Sequence, residues 1–282
     1  MQLVERDFNA IFEAPFEAYG ADSPYVSPKK TDLARFLSRR NPLFDSEDDF
    51  TYFAVLKNGR LIGRITAHVH RASNALFGED RAYFGYFDCA DDPEAAALLL
   101  GAAEDWARAK GLRSLTGNFN LTAMQQAGIV TDGFDRAPFT DQIWNPPHVP
   151  KLLENLGYAQ RFPMPTFARD LGQRDLGKVL PDDARDALLQ EGFQFAPITR
   201  RTIDARLEDA RTILNTSFKD NPMFVPVSKD EFMFQAKDMK WIMDPRISKV
   251  VHYQGTPAGE DIAIPDLNPL LKSEESRLDL TQ

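Results

Sequence analysis

Asp88, Cys89, Asp91 and Asp92 stand together in GYFDCADDPEAAALLLGAAEDWARAKG, residues 85–111, where an apolar run meets an amphipathic one. A strand-to-helix turn of this kind gathers anions, because free backbone N–H groups and the positive helix end point into it. Three carboxylates there serve the helix end themselves, as caps and first-turn acids, and repel a second anion. Cys89 reads as a small buried residue. A nucleophilic thiol needs a cation or a free helix terminus to lower its pKa, and the aspartates act the other way. His68 and His70 lie two apart on one strand face, a spacing that ligates zinc when Asp88 or Cys89 joins. No further ligand pattern accompanies them, so the expectation is no metal and histidines that face solvent or hydrogen-bond. Asn118 and Asn120 either hydrogen-bond a substrate amide or cap the loop behind them. DGFDRAPFTDQIWNPPH, residues 132–148, places Phe139, Trp144 and His148 in a long irregular loop. There they line a small-ligand pocket or pack as a lid.

These residues need a frame. In FTYFAVLKNGRLIGRITAHVHR, Asn58-Gly59 between two β-rich runs predicts a hairpin. Alternation sets Ile65, Ala67 and Val69 on one face and Arg64, Thr66, His68 and His70 on the other. RAYFGYFDCA reads as a third strand. Pro93 suits a first helical turn. Ala96, Leu99, Leu100, Ala103, Trp106 and Ala107 form the apolar stripe of that helix, and Gly111 stops it. LRSLTGNFN predicts a fourth strand. HVPKLLENLGYAQ predicts a short helix ending at Gly157, followed by a strand through Phe167. Upstream, DLARFLSRRNPLF predicts a helix ended by Asn41-Pro42.

The pattern then breaks. Residues 171–192 are polar and read as a linker, partly helical. From residue 193 come a strand, a helix in DARLEDARTILNTSF, a helix in KDEFMFQAKDMKWIM, and a hairpin turning at Gln254-Gly255. This order echoes residues 1–70, an internal structural repeat. The second copy stops after its hairpin, and residues 273–282 are a polar tail. An unfinished sheet leaves an open edge and a bare face. The first domain, a second copy of the chain or a partner unit would cover it, or the chain is a truncated form of something longer.

Bulk properties narrow the class. The 282 residues suit two domains, and 43% hydrophobic residues suffice for real cores. A net charge of −9 argues against nucleic acid as the main partner. A single cysteine excludes an internal disulfide framework, and no apolar run of membrane-spanning length occurs. The expectation is a cytoplasmic protein without membrane or nucleic-acid partners.

The hairpin FAVLKNGRLIGRITAHV, the helix-to-strand segment AAEDWARAKGLRSLTG and VPKLLENLGYAQ, in that order, resemble the GNAT-type acyl-CoA N-acyltransferases. With GYFDCADDPEAAALL, GNFN, DGFD and NPPHVPKLLENLGY, the chain looks like a group of tandem GNAT-like proteins. The resemblance implies a mixed α/β, α+β-like fold. It implies one complete GNAT-like unit over 1–170, the linker at 171–192, and a partial second unit over 193–272. It implies acetyl-CoA or another acyl-CoA as co-substrate and an amine or amino-acid-like acceptor. It makes Asp88 a candidate general base and Tyr158 a candidate general acid for the leaving thiolate. Asn118, Asn120, Phe139, Trp144 and His148 are the substrate-side candidates.

The sequence departs from the family at the cofactor turn. There a glycine-rich segment with a basic residue is replaced by Asp88-Cys89-Ala90-Asp91-Asp92-Pro93. Acyl-CoA binding would then fall to the second unit, in the part this chain lacks. Two readings stand: an N-acyltransferase-like protein that moves an acyl group from acyl-CoA to an amine, active or inactive in this chain, or a non-catalytic module for small-ligand binding or assembly. A histidine-based metal hydrolase rests only on His68, His70 and Asp88.

Overall fold

The computed structural model describes residues 1–122, 126–167, 172, 182–221, 224–236 and 239–273. The chain is mixed α/β and divides into two compact units. The first comprises residues 1–160 with the described residues of 222–226 and 266–273, and the second comprises 161–221 and 227–265.

The first unit is built on a five-stranded sheet in the order β1-β2-β3-β4-β5. Its strands are β1 (Gln2–Glu5), β2 (Phe50–Lys57), β3 (Arg60–His68), β4 (Arg81–Cys89) and β5 (Ser114–Thr116). The first four pair antiparallel, and β4 and β5 run parallel. The β2–β3 turn has Asn58 at φ 53° and Gly59 at φ 80°, the left-handed pair that matches strand twist. Helix α1 (Phe8–Tyr19) and helix α2 (Lys30–Phe36) precede the hairpin, and helix α3 (Arg71–Phe77) joins β3 to β4. Helix α4 (Pro93–Ala109) joins β4 to β5, and helix α5 (His148–Asn155) follows the long loop.

The sheet has two covered faces. On one, Phe53, Ile65, Ala67, Phe84 and Phe87 pack with Leu99, Leu100 and Ala103 of α4 and Val149, Leu152 and Leu153 of α5. On the other, Ala54 and Leu61 pack with Ala10 and Ala14 of α1. Helix α4 ends in a Schellman motif: Leu112 N–H donates to Ala107 O and Gly111 N–H to Arg108 O, with Gly111 at φ 75°. Helix α5 ends the same way, through Gly157 at φ 86° and the N–H of Tyr158 bonded to Leu153 O.

The second unit holds a three-stranded antiparallel sheet in the order β6-β7-β8: Phe193–Pro197, Lys249–Tyr253 and Thr256–Asp261. Its helices are α6 (Asp182–Gln190), α7 (Ile203–Ser217), α8 (Lys229–Ala236) and α9 (Met239–Ile242), and α10 (Asn268–Ser273) belongs to the first unit. Strand, helices and hairpin follow in the same order as in β1, α1, α2 and β2–β3. Both hairpins turn on a left-handed pair, here Gln254 at φ 51° and Gly255 at φ 80°.

Several expectations are corrected. No strand runs from Tyr158 to Phe167; Pro163 and Pro165 lack the N–H groups a ladder needs, and Met164 and Phe167 stay exposed. The LRSLTGNFN strand is only Ser114–Thr116, because the chain then crosses over β4: a Cβ on Gly85 would lie 2.1 Å from Phe119 O. Strand β1 and helix α3 carry no strong local signal and were not anticipated. KDEFMFQAKDMKWIM holds α8 and α9, with residues 237 and 238 between them outside the described residues. The linker reading at 173–181 also falls outside them.

Candidate active site

The face of β3 that looked polar is buried. Arg64, Thr66 and His68 are each at most 1% exposed. The registers set Ala54, Arg64 and Asp88 in one row across the sheet, Tyr52, Thr66 and Gly85 in the next, and Phe50, His68 and Tyr83 in the third. A bulge in β4, with Tyr86 at φ 44°, shifts the register between the first two rows.

Arg64 organises the first row. Its Nε donates to Asp88 Oδ2 at 2.7 Å, Nη1 to Ile11 O at 2.8 Å and Nη2 to the Tyr25 hydroxyl oxygen at 2.7 Å. Its guanidinium lies 5.2 Å from the Tyr86 ring centroid. The Tyr19 hydroxyl donates to Asp88 Oδ1 at 2.9 Å. Burial alone would lower the Arg64 pKa, but Tyr25 and Asp88 outweigh it and hold the guanidinium charged. Burial raises the Tyr19 and Tyr25 hydroxyls above their ordinary range, and the Asp88 charge raises both further. Asp88, expected as a general base, has both oxygens engaged.

Asn118 and Asn120 do something not anticipated. Beyond Tyr83 and Thr116, β4 and β5 no longer pair. Asn120 Oδ1 accepts from Tyr86 N at 2.6 Å, and Asn118 Oδ1 from Phe87 N at 3.1 Å. Two backbone donors of β4 thus find side-chain acceptors in place of a ladder partner. Asn118 Nδ2 donates to Asn120 Oδ1, Asn120 Nδ2 to Gln126 Oε1, and Gln126 Nε2 to Gln142 O.

A cleft opens over this array. Arg64, Asp88, Tyr25 and Tyr86 line it with the carboxamides of Asn118, Asn120, Gln126, Gln142 and Asn145. Val26, Pro28, Phe87, Ile129, Pro138, Ile143 and Trp144 complete the lining of this small cleft, about 20 Å³ in volume. Of the expected substrate residues, Asn118, Asn120 and Trp144 reach the cleft. Trp144 Nε1 donates to Phe134 O, and its ring meets Tyr19 edge-on at 5.8 Å. Phe139 is 55% exposed and does not line the cleft. His148 stands outside it with Nε2 2.8 Å from Cys89 O. Tyr158 is also elsewhere, with its hydroxyl donating to Glu104 Oε1 at 2.8 Å and its ring edge-on to Phe84. Sequence reasoning missed Arg64, Tyr19, Tyr25, Gln126 and Asn145 as site residues. A cation in the middle of an otherwise alternating strand was the available signal for Arg64.

The turn into α4 is self-satisfied. Asp92 Oδ1 accepts from Glu94 N and Ala95 N, both at 3.1 Å, and Oδ2 from Lys57 Nζ at 2.6 Å. The Lys57 hydrogen bond lowers the Asp92 pKa. Pro93 supplies no donor. The Cys89 thiol is pushed up to about 12 by burial, with Asp92, Asp88 and Asp91 adding to it. The pyrophosphate of coenzyme A does not fit here, because the helix-terminal amides are taken and the neighbours are carboxylates. Asp92→Ala should cost about 1 kcal/mol in urea unfolding, the usual worth of an N-cap, with little added by the exposed Lys57 pair. A loss below a few tenths would show that the cap carries no such weight.

His68 and His70 are both buried. Burial lowers the pKa of both rings, His68 well below its ordinary value and His70 to about 4. His70 Nε2 lies 2.6 Å from Leu121 O, whereas neither ring nitrogen of His68 has a partner among the described residues. Neither ring faces solvent; the expectation of a solvent-facing or hydrogen-bonded ring is met by the hydrogen bond of His70 and fails for His68. Among the described residues no group of three or more His, Cys, Asp or Glu is placed to hold a metal ion, and no helix is long and apolar enough to cross a membrane.

No family model matches the chain. Among solved structures it is similar to an aminoglycoside acetyltransferase from an uncultured soil metagenomic sample, solved with trehalose and with sisomicin. The TM-score is 0.37 and the identity 13%, covering 60% of this chain and 95% of that one. Among curated proteins it is similar to Protein YghO of Escherichia coli K12, 26% identical over 269 residues, which span 94% of this chain and 67% of the relative. It is similar in the same degree to the bacterial ceramide synthase of Caulobacter vibrioides, 26% identical over 275 residues, spanning 94% of this chain and 68% of that protein.

Proposed function

We propose that the chain is part of a GNAT-like N-acyltransferase that forms an amide on a long-chain amine, and that its first unit contributes the acceptor cleft. The observation that carries the reading is the likeness to the bacterial ceramide synthase over 94% of this chain and 68% of that protein. Ceramide is an N-acylated long-chain amino alcohol, so that name denotes acyl transfer to an amine. The order of strands and helices in the first unit supports the same class, as does a small cleft of mixed polar and apolar lining. The element order of the second unit, matching the front of the first, supports a tandem arrangement. No step is assigned to coenzyme A at the β4–α4 turn, whose residues do not suit its pyrophosphate.

A second reading has its own support. Asp88 is the sole carboxylate among the described residues lining the cleft, and both its oxygens are occupied. A cleft without a free base suits a non-catalytic ligand-binding module. Incubating the purified chain with a long-chain amine and an acyl-CoA separates the two. An N-acyl amide detected by mass spectrometry above the uncatalysed level supports acyl transfer. Amine binding without product favours the module, and neither binding nor product removes both readings.

A further inference from the structure

The cleft lies between two loops. Tyr25, Val26 and Pro28 line it from one, and Pro138, Gln142, Ile143 and Trp144 from the other. The space between them, about 20 Å³, holds a water and little more. A larger ligand enters only if one of these walls moves, so whatever fixes the walls decides access.

Residues 266–272 are bonded to both loops. Thr140 N–H donates to Asp266 Oδ1 at 3.0 Å, and the Thr140 hydroxyl donates to the same oxygen at 3.2 Å. That hydroxyl oxygen accepts from Leu267 N at 2.6 Å. Asn268, only 8% exposed, donates from Nδ2 to Pro138 O at 2.8 Å. Asp266 Oδ1 also accepts from Asn268 N, so one carboxylate ties the start of α10 to the wall. Near the other end of α10, Lys272 Nζ donates to Ser23 O at 2.7 Å, in the loop that carries Tyr25. Among the described residues, the other hydrogen bonds of 138–141 stay within the wall: Phe139 N to Gln142 Oε1, and Gln142 N to Phe139 O. Asn145 anchors the far end of the wall by a two-way pairing with the Val130 backbone.

We propose that residues 266–272 are a clasp that holds the cleft shut, and that release of Thr140 and Pro138 lets the 138–142 wall swing away about Asn145. The clasp is a few hydrogen bonds of modest net worth, with Thr140 partly exposed, so it opens at far less cost than unfolding. The opening governs entry whether the cleft serves acyl transfer or binding alone.

The test is hydrogen–deuterium exchange of the whole chain, read by NMR at the amides of Phe139, Thr140 and Gln142. Thr140→Val with Asn268→Ala removes three of the clasp's bonds. Exchange at those amides should rise about tenfold or more, while the amides of the β2–β3 ladder keep the parent rate. Should the double variant fail to fold, Thr140→Val alone removes both hydroxyl bonds at nearly constant volume and should act in the same sense by a smaller factor. Unchanged exchange at the three wall amides overturns the clasp. So does an equal acceleration at the wall and the β2–β3 ladder, which would make residues 266–272 an ordinary contributor to global stability. The assay uses no substrate, so either result leaves acyl transfer and the binding module where they stand.

Discussion

Arg64→Met should lower the unfolding free energy by about 3–5 kcal/mol, the cost of removing one partner from a buried ion pair. Methionine fills much of the same volume, so the loss comes from polarity more than from a cavity. Asp88 would keep only the Tyr19 hydroxyl, and Ile11 O and the Tyr25 hydroxyl would lose the donors that Arg64 supplies. Each is a buried polar group stripped of its partner, and that penalty exceeds the net worth of the bond when made. Arg64→Lys should recover only part of the loss, since one ammonium on a flexible stem cannot serve three acceptors in the fixed directions of a guanidinium. Arg64→Met with Asp88→Leu should recover more than Arg64→Met alone, because no charge is then left unpaired. Urea titration in a Trp241→Phe background, followed by the fluorescence of Trp106 and Trp144, reads the first unit. An Arg64→Met unfolding free energy within about 1 kcal/mol of the parent would mean that water reaches the pair and the site is looser than its geometry.

That network also marks how far sequence reading reaches. The caps of α4, the Asn58-Gly59 hairpin and the Gly157 stop were legible because each depends on neighbours a few residues away. Alternation along β3 separated Ile65 and Ala67 from Arg64, Thr66 and His68. It could not show that α1 covers the second face, because which face is buried depends on packing between elements. The partners of Arg64 and Asp88 lie 24, 39 and 69 residues apart in the chain. No local spacing rule connects them. Asn118 and Asn120 were singled out on type, yet their place in the structure follows from the parting of β4 and β5, which only the registers reveal. Tyr158 was singled out through the resemblance. Its place just after a Schellman glycine is where a residue commonly packs back on its own helix.

The second large effect is on acid stability. Lowering the pH from 7.5 to 5 should cost the first unit about 2 kcal/mol through His70 alone, with His68 adding to the loss. The sign follows from the proton count. In the folded chain burial holds His70 at about 4, so at pH 5 the ring is mostly neutral. In the unfolded chain it titrates near 6.5 and is mostly protonated at pH 5. The unfolded state therefore binds more protons between those values, and stability falls as pH drops through 6.5, levelling off below 4. His68 is lowered in the same direction, by burial first and then by the neighbouring His70. Glu260 works oppositely, since burial and the Asp209 charge raise it to about 7, but it belongs to the second unit. Glu260→Gln removes its contribution from the curve. His68→Phe keeps a ring against Tyr83 and removes two buried nitrogens that have no partner. It should raise stability at pH 7.5 and flatten the acid limb. Unfolding free energies from urea titrations at half-unit steps between pH 7.5 and 4.5 test both. A parent curve with no downward slope from 6.5 to 5 in the Glu260→Gln background would mean that these rings are hydrated and titrate normally.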